Sequence, residues 1–214
     1  IGAADVTRRM AELLDAPAVL SGHSRLLFDC NRQPGNPMAT PAVSDGVTVP
    51  GNQGLDEEEI SKRQRLYFDP YHAAIEQHLN AFAARDVIPA LISMHSFTPV
   101  MDGFERPWHA GLLTNKDERL VAGLLAALNA HHGVVADQNV PYSGDDPSGY
   151  TIHVHGEERG VPCVAVEIRQ DLIDTHHGAQ TWAGMMSGAI GETLKAARPF
   201  SLQPVTEWRG AIEA

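Results

Sequence analysis

The sequence predicts an α/β protein, a three-layer α/β/α sandwich around a mixed, mostly parallel sheet. Two apolar runs of strand length, at residues 87–94 and 161–168, are continuous enough for strands buried on both faces. Segments of ten or more residues with helical spacing lie before, between and after them. Strands that alternate with helices of this length are typical of a layered α/β domain. The 214 residues are enough for one such domain with its own core.

The N-terminal segment is predicted as an amphipathic helix followed by two short strands. Residues 1–14 place Val6 and Met10 one helical turn apart, with further apolar residues in register. Short strands are expected at residues 18–20 and 25–28.

A long loop and then a long helical region follow. Residues 33–55 contain four prolines and four glycines, which favours a surface loop. Residues 56–85 have an acidic first turn and helical apolar spacing, so we expect a long helix or a helix pair with a break at Pro70.

The second half alternates strand and helix. The run at 87–94 is predicted as the central strand, ending at a His-Ser pair, and the run at 161–168 as a second buried strand. Residues 117–132 form a strongly periodic helix that Gly133 closes. A last helix is expected after Asp174 or Thr175, either of which can cap it.

Composition excludes several classes of function. The formal net charge is −11, and the strongest basic cluster is Lys62, Arg63 and Arg65, which argues against a nucleic-acid or anionic-membrane partner. No apolar run approaches the roughly 18 residues of a membrane helix. The two cysteines, Cys30 and Cys163, make no metal-type pair and no disulfide scaffold, which favours the cytoplasm. A small-molecule ligand is therefore expected.

Polar residues that follow apolar runs mark the candidate site, because ligands of open α/β sheets bind at the carboxyl ends of strands. Three motifs stand out: SRLLFDCNR at residues 24–32, SMHS at 93–96 and HGEERGVPCVAVEIRQD at 155–171. Taken singly, each also has a purely structural explanation, such as a loop cap or an ion pair. In this order the three motifs resemble the N-formylglutamate amidohydrolase family, whose fold is related to that of the zinc carboxypeptidases.

The resemblance implies roles for individual residues. His95 matches a zinc ligand, and Glu167 matches the carboxylate that deprotonates the attacking water and then protonates the leaving amine. Arg32 and Asn31 match groups that hold a substrate carboxylate. A guanidinium binds a carboxylate in a bidentate fork, and zinc lowers the pKa of its water to about 7.

Four further residues complete the expected site. Arg25 or Arg169 is the candidate to polarise the scissile carbonyl. Ser96 and His155 lie inside the matched motifs and are expected to contact substrate. His153 and His155 would share one side of a strand, a spacing compatible with joint metal binding, but this segment could equally begin a helix.

The chain departs from the family pattern at its N-terminus. The resemblance places a first His-containing metal motif upstream of Ile1, and residues 1–9 do not supply it. Zinc sites of this type use three protein ligands. We therefore expect residues 1–214 to form a single amidohydrolase-like domain that lacks an N-terminal strand and motif.

The resemblance predicts a zinc-dependent hydrolase of an N-acyl, most simply N-formyl, acidic amino acid. One alternative keeps the fold and acts on a peptide end, as a carboxypeptidase-like peptidase or cell-wall amidase. The other is a binding module of the same fold without catalysis, which the missing ligand motif favours.

Overall fold

A computed structural model describes residues 1–144, 149–196 and 200–201. Its helices and strands are α1 (Ala3–Leu14), β1 (Val43–Ser44), β2 (Val47–Thr48), α2 (Glu57–Arg63), α3 (Asp69–Ala83), β3 (Leu91–Phe97), β4 (Val100–Met101), β5 (Phe104–Glu105), β6 (Ala110–Leu113), α4 (Val121–Asn129), β7 (Ala136–Gln138), β8 (Cys163–Arg169) and α5 (His176–Ala196). Short 3₁₀ turns and two π-helical turns, Gln64–Phe68 and His153–Glu157, join them. None of the helices in the described ranges has the length and apolar character needed to cross a bilayer.

The central sheet has four strands in the order β3-β8-β6-β7, and it is mixed as predicted. β3 pairs in parallel with β8, and β6 pairs in parallel with β7. β8 and β6 are antiparallel. The α/β prediction is therefore confirmed.

One face of the sheet carries the main core. Apolar side chains of β8, including Val164, Val166 and Ile168, meet α1, α4 and α5 there. These alternate β8 residues point to one side because side-chain direction in a strand has a period of two. The residues between them, Ala165 and Glu167, point to the opposite face.

That opposite face lies towards a smaller apolar cluster. Phe28, Ala39 and Phe68 form its centre, and Tyr150 packs against it. The cluster joins the loop at 33–55 to the α2–α3 region. Arg63 of α2 anchors the same loop at a second point, where its Nη1 donates to the buried Asn52 Oδ1 at 2.7 Å. Only two-residue strands and 3₁₀ turns interrupt this loop.

The two short strands expected at 18–20 and 25–28 are absent, and that prediction was wrong. Residues 16–20 belong to no helix or strand. At 24–27 the backbone turns: Leu27 N donates to Ser24 O at 3.0 Å, and Leu26 N donates to Ser24 Oγ at 3.2 Å. A serine hydroxyl that accepts a nearby backbone N–H favours a turn over a ladder.

The central strand was also assigned wrongly. β3 lies at an edge of the described sheet and is only half-buried, whereas β8 is central and almost wholly buried. β3 begins at Leu91, so His95 and Ser96 lie inside the strand and not after it. An apolar run identifies a strand, but its place in the sheet depends on partners distant in sequence.

The helical predictions hold with shifted ends. The expected break at Pro70 takes the form of a π turn just before it, in which Asp69 N donates to Gln64 O, and Pro70 occupies the first turn of α3. α4 ends at Asn129, before the predicted end at residue 132, and Gly133 adopts φ 79° beyond it. Thr175 caps the last helix, since its Oγ1 accepts from Gly178 N at 3.1 Å.

Candidate active site

The register of β3 on β8 places His95 directly beside Glu167. In a parallel pair, partnered residues point to the same face of the sheet. Gly111 of β6 partners Glu167 on its other side. A Cβ at Gly111 would collide with the carbonyl of Val140, so this glycine lets the chain after β7 cross close to Glu167.

Glu167 has the properties of a proton-transfer group. Its side chain is buried, and its Oε2 has no hydrogen-bond partner among the described residues. Burial raises the pKa of Glu167 to about 7, although the positive charges of Arg25, Arg106 and Arg32 act in the opposite direction. A carboxyl whose pKa lies near neutrality can both accept and return a proton at physiological pH.

His95 is a partly buried imidazole that is held in the neutral form. Burial lowers the pKa of His95 to about 4; the nearby Asp29 opposes this shift, and Arg25 and Arg32 add to it. Ser93 Oγ lies 2.9 Å from His95 Nε2, two residues along the same strand. The ring is therefore held in place by a serine that the sequence motif SMHS contains but that had no predicted role.

The turn that ends in Asp29-Cys30-Asn31-Arg32 is organised by Asp29. Its Oδ1 accepts from Asn31 N at 2.9 Å, and its Oδ2 lies 2.8 Å from Arg25 Nη2. The side chain of Arg25 remains more than half exposed, which leaves its guanidinium accessible to a ligand. Arg32 forms no ion pair with a described carboxylate, and its Nη1 donates to the carbonyl of Asn31. The first motif thus presents two arginines near Glu167 and His95.

The side chain of Asn31 is used structurally. Its Oδ1 accepts from Tyr150 N at 3.1 Å and from Thr151 N at 2.9 Å, so it caps the helical turn that contains His155. This contact fixes the first motif against the third. The substrate contact predicted for Asn31 therefore requires its amide nitrogen, since Oδ1 already accepts two hydrogen bonds.

His155 lies in a second group and not beside His95. His155 Nε2 is 2.9 Å from His72 Nδ1, and His72 Nε2 is 2.7 Å from Cys30 O. The segment is helical, so the extended arrangement of His153 and His155 does not occur. These rings line a cavity of about 290 Å³ with Tyr150 and Arg159.

Ser96 and Arg169 lie on opposite faces of the sheet. Ser96 faces the opposite side of β3 from His95 because adjacent strand residues alternate. Arg169 shares the face of Glu167, but its guanidinium is paired with Asp171, with Nε 2.8 Å from Oδ1. It also donates to the carbonyl of Arg106 at 3.3 Å.

Arg106 was missed by the sequence reasoning. It follows β5, is buried, and is close enough to Glu167 to lower the pKa of that carboxyl. No motif marks it, and only the folded hairpin of β4 and β5 brings it to the site.

The described residues do not form a complete zinc site. No group of three or more His, Cys, Asp or Glu side chains within the described ranges could hold a metal ion. His95 alone occupies a predicted ligand position, and its Nε2 already has Ser93 Oγ as a partner. Three protein ligands are the usual requirement.

Comparison with known proteins agrees with this geometry. The family model of N-formylglutamate amidohydrolase matches residues 1–174. The crystal structure of gene product Atu2144 from Agrobacterium tumefaciens is 31% identical, with a TM-score of 0.84, and the match covers 91% of this chain and 77% of that one.

A second structure shares the fold. N-formylglutamate amidohydrolase from Ralstonia eutropha JMP134 has a TM-score of 0.55 at 17% identity, with 90% of this chain and 85% of that one covered. No curated protein matches the sequence. The family match spans all three motifs and the strands that carry His95 and Glu167, and the chain therefore belongs to the N-formylglutamate amidohydrolase family.

Proposed function

We propose that the protein hydrolyses the amide bond of an N-formyl acidic amino acid, giving formate and the free amino acid. The observation that carries this proposal is Glu167: a buried carboxyl with one unpartnered oxygen, beside a neutral histidine and near three arginines. Family membership supports the reaction class.

The proposed chemistry needs one attacking water and one group that moves a proton. The ionised Glu167 accepts a proton as the water oxygen bonds to the formyl carbon. Glu167 then donates that proton to the amine nitrogen as the C–N bond breaks. Arg25 stabilises the negative charge on the carbonyl oxygen, and Arg32 holds the substrate carboxylate.

Formate release from N-formyl-L-glutamate and from other N-acyl amino acids tests the proposal. We expect activity in the wild-type protein and a loss of about 100-fold or more in E167Q, since general acid–base catalysis contributes about that much. The glutamine keeps the shape of the side chain but cannot carry a proton. Equal rates for wild type and E167Q, or no hydrolysis of any substrate, would contradict it.

Zinc enters the proposal through the family resemblance alone, with His95 as one ligand, because the described residues supply no group of three ligands that would complete the site. Metal analysis after incubation with zinc tests this separately in wild type and H95A. About one zinc per chain in wild type, reduced in H95A, supports it. No zinc in either protein contradicts it.

A further inference from the structure

We propose that Arg106 binds a second carboxylate of the substrate, on its amino-acid side chain, and so makes the enzyme selective for an acidic amino acid. This inference rests on the proposed function and extends it to a specificity-determining residue.

Arg106 is a buried cation that forms no ion pair with a described residue, although it lies close enough to the buried Glu167 to lower the pKa of that carboxyl. Its side chain donates to Thr98 O at 3.3 Å, to Tyr142 Oη at 3.1 Å and to Met101 Sδ at 2.8 Å. All of these acceptors are neutral, and no described carboxylate forms an ion pair with Arg106. A charge held away from water is costly unless an opposite charge joins it.

Aromatic rings fix the guanidinium in one place. Its central carbon lies 4.9 Å from the ring centre of Tyr142 and 5.8 Å from that of Phe97. Such contacts stabilise the cation and restrict its motion without using its charge on an anion. Phe97 is on the same face of β3 as His95, so the guanidinium is held on the side of the sheet that carries Glu167.

The four arginines of the region divide into two pairs. Arg25 is paired with Asp29, and Arg169 is paired with Asp171. Arg32 and Arg106 form no ion pair with a described carboxylate, and both act on the pKa of Glu167. Two guanidinium groups that form no ion pair among the described residues, on separate elements around one proton-transfer group, match a substrate with two carboxylates.

Arg32 belongs to the motif that resembles a substrate-carboxylate site. Arg106 then accounts for the remaining carboxylate. A neutral amide at the same position would leave the buried cation uncompensated, so the site discriminates against it.

Kinetics with matched substrates test this role. We expect R106Q to lower kcat/KM for N-formyl-L-glutamate at least about 30-fold and for N-formyl-L-glutamine less than about 3-fold. R106K, which keeps the charge but not the fork, should recover part of the loss. Y142F removes one acceptor but keeps the ring, and it should change the ratio between the two substrates far less than R106Q. Equal losses on both substrates, or none on either, would overturn the inference.

Calorimetric titration with glutarate separates this inference from the proposed function. Glutarate is a dicarboxylate without a scissile bond, so its binding does not depend on catalysis. Wild-type binding that R106Q weakens at least about 30-fold supports the carboxylate site even where N-formyl-L-glutamate is not hydrolysed. Glutarate binding that is equal in wild type and R106Q, or absent from wild type, contradicts it even where hydrolysis occurs. Thermal unfolding of R106Q confirms that the variant is folded.

Discussion

At the scale of single residues, the candidate site depends on charged groups that the fold keeps away from water. Glu167 and Arg106 are both buried and form no ion pair in contact distance with a described residue, and burial holds His95 in the neutral form. Each arrangement costs stability in the free protein. Such costs are typical of sites where a ligand supplies the missing charge.

The buried carboxyl of Glu167 should make stability depend on pH. Its folded-state pKa of about 7 lies above the ordinary value of 4.5, so the protonated form is favoured by folding. The stabilisation is complete below the unfolded pKa and is lost as pH rises through about 7. We predict that E167Q gains about 3 kcal/mol relative to wild type between about pH 4 and about pH 8.5.

Urea unfolding of both proteins across this range measures the difference. E192Q, on the exposed side of α5, controls for the exchange of carboxylate for amide. A stability difference between E167Q and wild type that does not change with pH would show that Glu167 titrates as an exposed carboxyl does.

Sequence alone could predict the motif residues but not their partners. The ion pair of Asp29 with Arg25 is an exception that could have been predicted, because both residues lie in one nine-residue motif. No sequence motif marks Arg106, since its approach to Glu167 depends on the hairpin of β4 and β5. Asn31 was expected to contact substrate, but its side-chain oxygen caps a turn about 120 residues away in sequence, where it accepts hydrogen bonds from Tyr150 N and Thr151 N.

At the scale of elements, the site depends on how closely the chain can approach β6. Gly111 partners Glu167, and any side chain at 111 would meet the carbonyl of Val140. Because the obstacle is backbone, it cannot move aside as a flexible side chain would. We predict that G111A destabilises the protein by about 3 kcal/mol or more and lowers activity on N-formyl-L-glutamate.

A matched glycine provides the control. Gly184 lies in α5, and the space that an added Cβ would occupy is open. G184A should therefore stabilise the protein by about 0.5–1 kcal/mol through helix propensity. Similar unfolding midpoints for G111A and G184A would contradict the close approach at β6.

Helices and buried strands were predictable where periodicity was strong. The apolar spacing of α1, α4 and α5 and the continuous runs of β3 and β8 gave their types and approximate positions. β6 and β7 were not predicted, because strands of four and three residues are too short for a period to show. Their place in the sheet comes from the pairing of β6 with β8 and of β7 with β6, which no local sequence pattern indicates.

At the scale of the whole molecule, the two faces of the sheet have different roles: one face carries the main core, and the other carries the candidate site. The face of β8 that carries Val164, Val166 and Ile168 packs on α1, α4 and α5. The face that carries Glu167 meets the first motif and the hairpin that holds Arg106. The α/β class followed from alternating strands and helices, but the central position of β8 became clear only from the pairing of all four strands.

The net charge of −11 is compatible with binding an anionic substrate. Screening over about 8 Å at physiological salt lets a few local arginines outweigh distant carboxylates. Arg25, Arg32 and Arg106 all act on the Glu167 carboxyl. In the proposed function, recognition of the substrate depends on these groups and not on the overall charge.

The pH dependence of kcat/KM for N-formyl-L-glutamate tests the central claim, that Glu167 moves the proton, most directly. This parameter reports ionisations of the free enzyme and substrate. Because Glu167 must be ionised to accept the proton, and its pKa is about 7, we predict that kcat/KM rises with pH and is half-maximal near 7. An acid limb centred near the ordinary value of 4.5, or an identical limb in E167Q, would contradict it.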